Sequence, residues 1–334
     1  MDSLKQFQNV EKLIGNTPLL EIIFTYKGDK RRIFAKAEHY NLTGSIKDRV
    51  AYYILRKAYE HGTIRPGDVI AEATSGNTGI SFSAIGRYLG HKVMIFMPDW
   101  MSRERINLME SYGAQVRLVS REEGGFLGSI QMTEELAQKG HVFLPRQFSN
   151  EDNTEAHYMT TAVEIVRQLD TLGLKADGVV AGVGTGGTVM GIGKRIKECN
   201  PAAQAFPLEP LNSPTLSTGY KVGKHRIQGI SDEFIPEILK LDELDGVVSV
   251  DDTDSIIMAR MLSERLGIGV GVSSGANFIG CVMAQEKVGK DCVMVTVFAD
   301  DNKKYLSTDY SQKQEMKETY ITHDLELKEV IAYR

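Results

Sequence analysis

Asp68-Val69-Ile70-Ala71-Glu72 is an apolar run that enters the polar turn Ala73-Thr74-Ser75-Gly76-Asn77, and Thr78 to Leu89 continues with a helical pattern. A strand that hands over to a helix through so short a turn is half of a βαβ unit. The same grammar extends in both directions. Upstream, Arg32 to Lys36 reads as a strand. Ile46 to His61 reads as a helix, with Val50, Ile54 and Ala58 at four-residue spacing. Downstream, Lys92 to Met97 is a buried strand, Ser102 to Tyr112 a helix and Gln115 to Val119 another strand. Further on, Gly178 to Val183 is a strand that enters a glycine-rich turn, and Val189 to Glu198 follows as a helix. Gly246 to Val250 and Cys292 to Val297 are further strands. Such alternation predicts parallel sheets wrapped by helices.

The chain has 334 residues, too many for one ordinary core. The expected class is α/β, with two doubly wound parallel-sheet domains and a site in the cleft between them. The polar, asparagine-containing segment Arg146 to Thr154 is the expected hinge. Residues 42–150 then form a smaller domain, and 1–41 with 151–310 a larger one. The tail 311–334 carries charge with little periodicity and reads as a flap or a surface for a partner subunit.

Composition narrows the function. A net charge of −5 argues against a nucleic-acid surface. The basic cluster Lys221, Lys224, His225 and Arg226 is short and reads as a solvated turn. Cys199, Cys281 and Cys292 are scattered, without the spacing of a disulfide framework or a zinc site, so no metal is expected. They suit a reducing cytoplasm. The first residues lack an apolar signal core, and no apolar run approaches a membrane span.

Three turns carry the chemistry. Gly184-Thr185-Gly186-Gly187-Thr188 lies between a strand and a helix. Its glycines let N–H groups converge, and the helix N-terminus adds a positive dipole end, as a phosphate requires. A plain glycine-rich βα turn would look the same. Lys47 lies at a helix start behind Gly44 and Ser45. Dipole and partial burial disfavour its ammonium form, and a neutral amine can form a Schiff base with an aldehyde. A lone lysine is nonetheless usually a solvated one. In the turn Thr74 to Thr78, hydroxyls and N–H groups suit a substrate carboxylate, and the Asn77 amide suits a phenolate oxygen. An ordinary capping turn explains one of these residues but not the set.

Taken together, these segments resemble the cysteine synthase and cystathionine β-synthase family, pyridoxal 5′-phosphate (PLP) enzymes of fold type II. The likeness spans nearly the whole chain. Ile14-Gly15-Asn16-Thr17-Pro18-Leu19 is similar to the family's opening. Asn41 to Arg49 is similar to its lysine motif, and Glu72 to Gly79 to its substrate loop. Gln147-Phe148-Ser149-Asn150 resembles a second substrate contact, and Gly182 to Thr188 the phosphate loop. His225 to Ile230 precedes a family loop that ends in Phe234-Ile235-Pro236. Val272-Ser273-Ser274-Gly275-Ala276 contains the serine expected at the pyridine nitrogen.

The resemblance implies that Lys47 holds PLP as an internal aldimine and then shuttles the Cα proton. It assigns Asn77 to the ring oxygen, Gly184, Thr185, Gly186, Gly187 and Thr188 to the phosphate, and Ser273 to the ring nitrogen. Thr74, Ser75, Gly76, Thr78 and Gln147 fall to the amino-acid substrate. A hydroxyl at the ring nitrogen suits loss of a β-substituent, giving an aminoacrylate, more than it suits transamination. A symmetric homodimer is also implied.

One segment departs from the cysteine synthase pattern. After the Gln-Gly-Ile motif those enzymes carry Gly-Ala-Gly, whereas this chain reads Ser231-Asp232-Glu233. Cystathionine β-synthases have an acid at the Glu233 place, so Asp232 is the unusual one. Both acids can also simply face solvent. A thiol ionises near ~8.5, so sulfide needs no help as a nucleophile. Water ionises near ~15.7 and needs a positioned base. Asp232 as that base favours L-cysteine plus water giving L-serine plus hydrogen sulfide. This matches the sulfide-producing cysteine (hydroxyl) lyase branch, which the chain resembles. The competing expectations are an O-acetylserine sulfhydrylase and a β-replacement enzyme making lanthionine, cystathionine or a diamino acid. A silent scaffold is the remaining alternative, and retention of Lys47 with every cofactor turn argues against it.

Overall fold

The computed structural model of the protein describes residues 3–231 and 233–334. In chain order the strands are β1 (Leu19–Tyr26), β2 (Asp29–Ala37), β3 (Val69–Ala73), β4 (Lys92–Pro98), β5 (Gln115–Val119) and β6 (Val142–Phe143). They continue with β7 (Gly178–Gly182), β8 (Gln204–Pro210), β9 (Val248–Val250), β10 (Met294–Phe298) and β11 (Leu325–Tyr333). Among the described residues they form a seven-stranded sheet, β11-β1-β2-β10-β7-β8-β9, and a four-stranded sheet, β5-β4-β3-β6. The smaller sheet lies wholly within the expected 42–150 unit. The larger draws its strands from 1–41, from 151–310 and from the tail.

Every pairing in the smaller sheet is parallel, as the strand–helix alternation predicts. The larger sheet is parallel from β2 through β9 and antiparallel at its β1–β11 edge. The antiparallel edge begins with a two-residue hairpin. Lys27 and Gly28 both adopt positive φ, at 50° and 85°, the twist that matches paired strands.

The tail is where the sequence expectation needs correction. Leu325–Tyr333 is neither flap nor loose surface, because it pairs with β1 from Leu19↔Tyr333 to Tyr26↔Leu325. Leu325 and Leu327 face inward while Glu326 and Lys328 face out, and the Tyr333 hydroxyl donates to Glu21 Oε2 at 2.7 Å. An edge strand shows water one face and one side, so its apolar signal is thin.

Both sheets are covered on both faces. Along β7, Val179 and Ala181 join a core with Val189, Ile165 and Val295. Val180 points the other way, into a core with Phe278, Ile279 and Ile33. In the smaller sheet Ile70 packs with Ile80, Ile54 and Val93, while Ala71 packs with Phe96 and Val119. With both faces buried, each parallel strand reads as a continuous apolar run. No helix among the described residues is long and apolar enough to cross a membrane.

Candidate active site

The carboxyl ends of β3, β7 and β10 converge. Strand β3 ends in the Thr74–Thr78 turn, β7 ends in the Gly184–Thr188 turn, and β10 runs into Ala299-Asp300-Asp301. Crevices at such strand ends are where open α/β sheets bind ligands.

Lys47 opens the helix Lys47–Glu60, and its loop is held from several sides. Ile46 N–H donates to Ala299 O at 2.8 Å, and Ser45 forms a bridge with Asp300. Asp48 is fully buried. Its carboxylate accepts from Thr43 N–H at 2.7 Å, from the Thr43 hydroxyl at 2.6 Å and from the Ser81 hydroxyl at 2.7 Å. Burial pushes the Asp48 carboxyl up, against those bonds.

Arg49 turns the other way, into a buried network. Its guanidinium donates to Glu38 at 2.6 and 2.8 Å and to Glu164 at 2.8 Å through two nitrogens. Lys36 reaches Glu164 at 2.8 Å and the Thr17 carbonyl at 2.6 Å. Thr17 donates to Glu38 at 2.7 Å, and Asn16 N–H donates to Glu164 at 2.9 Å. Burial alone would raise the Glu38 carboxyl, but the Arg49 guanidinium holds it at about 2. The opening Gly15-Asn16-Thr17 segment and the Lys47-Asp48-Arg49 segment are therefore two sides of one ion-pair network behind the lysine.

The glycine turn after β7 ends in the helix Gly187–Cys199, with Gly186 at φ +88°. A Cβ at Gly184 would lie 2.5 Å from the Gly229 carbonyl, and one at Gly187 would lie 2.3 Å from Asn153 Oδ1. Thr185 accepts from Asn153 Nδ2 at 2.9 Å, and the Thr188 hydroxyl meets His157 Nε2 at 3.3 Å. His157 is fully buried, with Nδ1 3.0 Å from the Thr161 hydroxyl. Burial, with Lys47 nearby, pushes its imidazole down to about 3, so it stays neutral.

On the facing side, the Thr78 hydroxyl donates to Gln147 Oε1 at 2.6 Å, and Gln147 Nε2 donates to Ala73 O at 2.9 Å. Gln147 thus braces the turn as well as lining the cleft. Glu72 beneath it accepts from Ala73 N–H at 3.0 Å and Gln147 N–H at 3.3 Å, yet burial still pushes its carboxyl up to about 8.

These elements enclose a cavity of about 40 Å³ lined by Lys47, Thr74, Ser75, Gly76, Asn77, Thr78, Gln147, Gly184 and Thr185, joined by Arg105, Phe148 and Gly229. Nine residues singled out from the sequence meet in it. Gly186, Gly187 and Thr188 lie behind Thr185 in the turn and first helical residues, outside that lining. Ser273 is buried near the start of the helix Val272–Val288 and also lies outside it, although its neighbour Val272 lines the adjoining cavity. That second cavity, of about 760 Å³, shares Ser75, Arg105 and Gly229 with the first. Ser231 and Glu233 line it, and Glu233 accepts from Lys221 Nζ at 3.3 Å. Asp232 lies outside the described residues.

Sequence reasoning missed Arg105, Asn153 and His157. Arg105 is buried in the helix Arg103–Ser111, stacks 5.0 Å from the Tyr305 ring and meets Gln228. No periodicity marks it as inward. Asn153 and His157 act through Thr185 and Thr188, and only the fold brings them there.

The residues present fit a phosphate-bearing aldehyde. An amine, a glycine-rich turn before a helix start, crowded against any Cβ at Gly184 and Gly187, and a polar turn with an amide meet around one small cavity. Comparison with known proteins agrees. Residues 10–300 match the family of pyridoxal-phosphate dependent enzymes. A probable cysteine synthase of Bacillus subtilis is 40% identical over 92% of this chain and 98% of its own. A hydrogen sulfide-producing enzyme (Fn1055) of Fusobacterium nucleatum is 62% identical, with a TM-score of 0.96 over 98% of this chain and 99% of that one. The same figures hold for its D232N variant in complex with an α-aminoacrylate intermediate. A cysteine synthase of Entamoeba histolytica is 36% identical, with a TM-score of 0.83 over 92% of each chain. The chain therefore belongs to the pyridoxal-phosphate dependent enzymes, as a fold type II member of the cysteine synthase family.

Proposed function

We propose that this enzyme converts L-cysteine and water into L-serine and hydrogen sulfide, with Asp232 as the general base toward water. PLP, when bound, supplies the electron sink that lets an amino acid lose its Cα proton and its β-substituent. The chain's own residues do the rest. Lys47 is the Schiff-base lysine and carries the Cα proton. Thr74, Ser75, Gly76, Thr78 and Gln147 hold the substrate carboxylate at the end of β3. Gly184, Thr185, Gly186, Gly187 and Thr188 take the phosphate, Asn77 the ring oxygen and Ser273 the ring nitrogen. The balance is one C–S bond broken and one C–O bond formed at Cβ. The sulfur leaves with a proton, and water gives one up.

The observation that carries the choice of water is the acidic segment Ser231-Asp232-Glu233. Its outer two residues line the large cavity that adjoins the lysine cavity. Glu233 is engaged by Lys221, and Asp232 is the acid that departs from the family pattern. Water needs such a base and a thiolate does not. The 62% identical relative is a hydrogen sulfide-producing enzyme, and an aspartate-to-asparagine variant of it holds an α-aminoacrylate intermediate. Both support this reading. We place the enzyme in the cytoplasm as a homodimer, in line with its free cysteines and the family resemblance.

The similarity to named cysteine synthases favours a second reading, O-acetylserine sulfhydrylase. Asp232→Asn separates the two. Serine output from cysteine should fall by roughly a hundred- to ten-thousandfold, while loss of sulfide from the first molecule of cysteine proceeds. Unchanged serine output would overturn Asp232 as the base, and native protein that forms no serine from cysteine but turns over acetylserine with sulfide would return the enzyme to the cysteine synthase reading.

A further inference from the structure

We propose that Lys304 and Asp300 are positioning residues that clamp the Asn77 amide from both ends, so that its remaining N–H is aimed at the cofactor's ring oxygen. The inference rests on the PLP reading of Asn77 and goes beyond it. Asn77 opens the helix Asn77–Tyr88 and lines the cavity with Lys47. Its Oδ1 accepts from Lys304 Nζ at 3.0 Å, and its Nδ2 donates to Asp300 Oδ2 at 2.7 Å. An ammonium cannot accept and a carboxylate cannot donate, so only one flip of the amide is allowed. One of the two N–H bonds is taken by Asp300, and because Asn77 lines the cavity the other is the donor available to a group bound there.

The clamp is itself fixed. Lys304 Nζ also donates to Gly44 O at 3.1 Å, three residues before Lys47. Asp300 Oδ2 accepts from the Tyr305 hydroxyl at 2.5 Å, and Asp300 O accepts from Gly271 N–H at 3.0 Å. Asp300 is fully buried and Lys304 only 5% exposed. Burial pushes the Lys304 ammonium down, and Asp300, Asp301 and Asp48 oppose that. Among the described residues Lys304 touches no carboxylate within ion-pair distance, so its charge is turned onto the Asn77 carbonyl. Burying two charges is expensive, and an apolar pair would fill the same space at lower cost. Placed at opposite ends of one amide, the charges polarise it and strengthen its free N–H as a donor.

The test compares PLP with its 3-deoxy analogue, which lacks only the ring hydroxyl, by equilibrium binding to apoprotein. The readout is the ratio of the two dissociation constants. Native protein should favour PLP by roughly ten- to a hundredfold, the worth of a hydrogen bond to a charged oxygen. Asn77→Ala should bring the ratio near one. Lys304→Met and Asp300→Asn should each cut the ratio several-fold while binding of the 3-deoxy analogue changes little, and Lys304→Arg should restore most of it. A native ratio in Lys304→Met and Asp300→Asn, or equal losses for both ligands, would overturn the proposal. If Lys304→Met does not fold, the near-isosteric Asp300→Asn carries the comparison. A native ratio in Asn77→Ala would instead overturn the assignment of Asn77 to the ring oxygen, so the two failures are distinguishable.

Discussion

Lys47 is legible in the sequence because glycine, serine and a charged pair surround it, yet what holds it is not. Asp48 and Arg49 read only as the end of the lysine motif. In the fold Asp48 ties the loop to Thr43 and Ser81, and Arg49 bridges Glu38 and Glu164. Glu164 lies 115 residues from Arg49, and no local pattern pairs them. The proposed Schiff-base role predicts that borohydride fixes the cofactor to Lys47 in native protein. In Lys47→Ala no cofactor-bearing peptide should appear, and a labelled peptide in that variant would refute the assignment. The network predicts that Arg49→Met leaves the buried Glu38 carboxylate without its guanidinium, while Glu164 keeps Lys36, and destabilises the fold by about 3–5 kcal/mol. Urea unfolding measures it, and a loss under about 1 kcal/mol would mean the pairs are solvated.

At the scale of elements, the turns after β3 and β7 were readable because glycine and hydroxyl residues punctuate them between apolar runs. Their support was not. The chain from Asp152 to Asp170 widens into a π-helical turn at His157–Thr161, and this turn brings His157 against Thr188. Such local widening often marks functional ground, and sequence periodicity does not register it. His157 predicts a pH effect. Its imidazole is held down at about 3, against an ordinary 6.5. Between those values the unfolded chain binds a proton that the folded one does not, so stability from this group is present above pH 6.5 and lost as pH falls toward 3. His157→Gln should flatten that part of the slope. Urea midpoints from pH 7 to 4 for both proteins decide it, and parallel curves would contradict it.

For the whole molecule, the α/β class and its strand–turn–helix units followed from alternation, and the expectation of two units from chain length. The antiparallel β1–β11 edge did not, because a half-exposed edge strand carries mixed charges. The Thr74–Thr78 turn of the smaller sheet and the Gly184–Thr188 turn of the larger one line a single cavity, and we propose that the smaller unit closes when substrate binds. Trp100, the chain's single tryptophan, lines the large cavity and is 42% exposed. Its emission should shift to the blue when the holoenzyme takes up L-serine, and an unchanged spectrum at saturation would count against closure. Whether water is the second nucleophile is decided by the products of L-cysteine alone in ¹⁸O-labelled water. Serine should carry the label on its β-hydroxyl, with sulfide released in equal amount. Sulfide without labelled serine, or no turnover until a second thiol or acetylserine is supplied, would contradict water as that nucleophile.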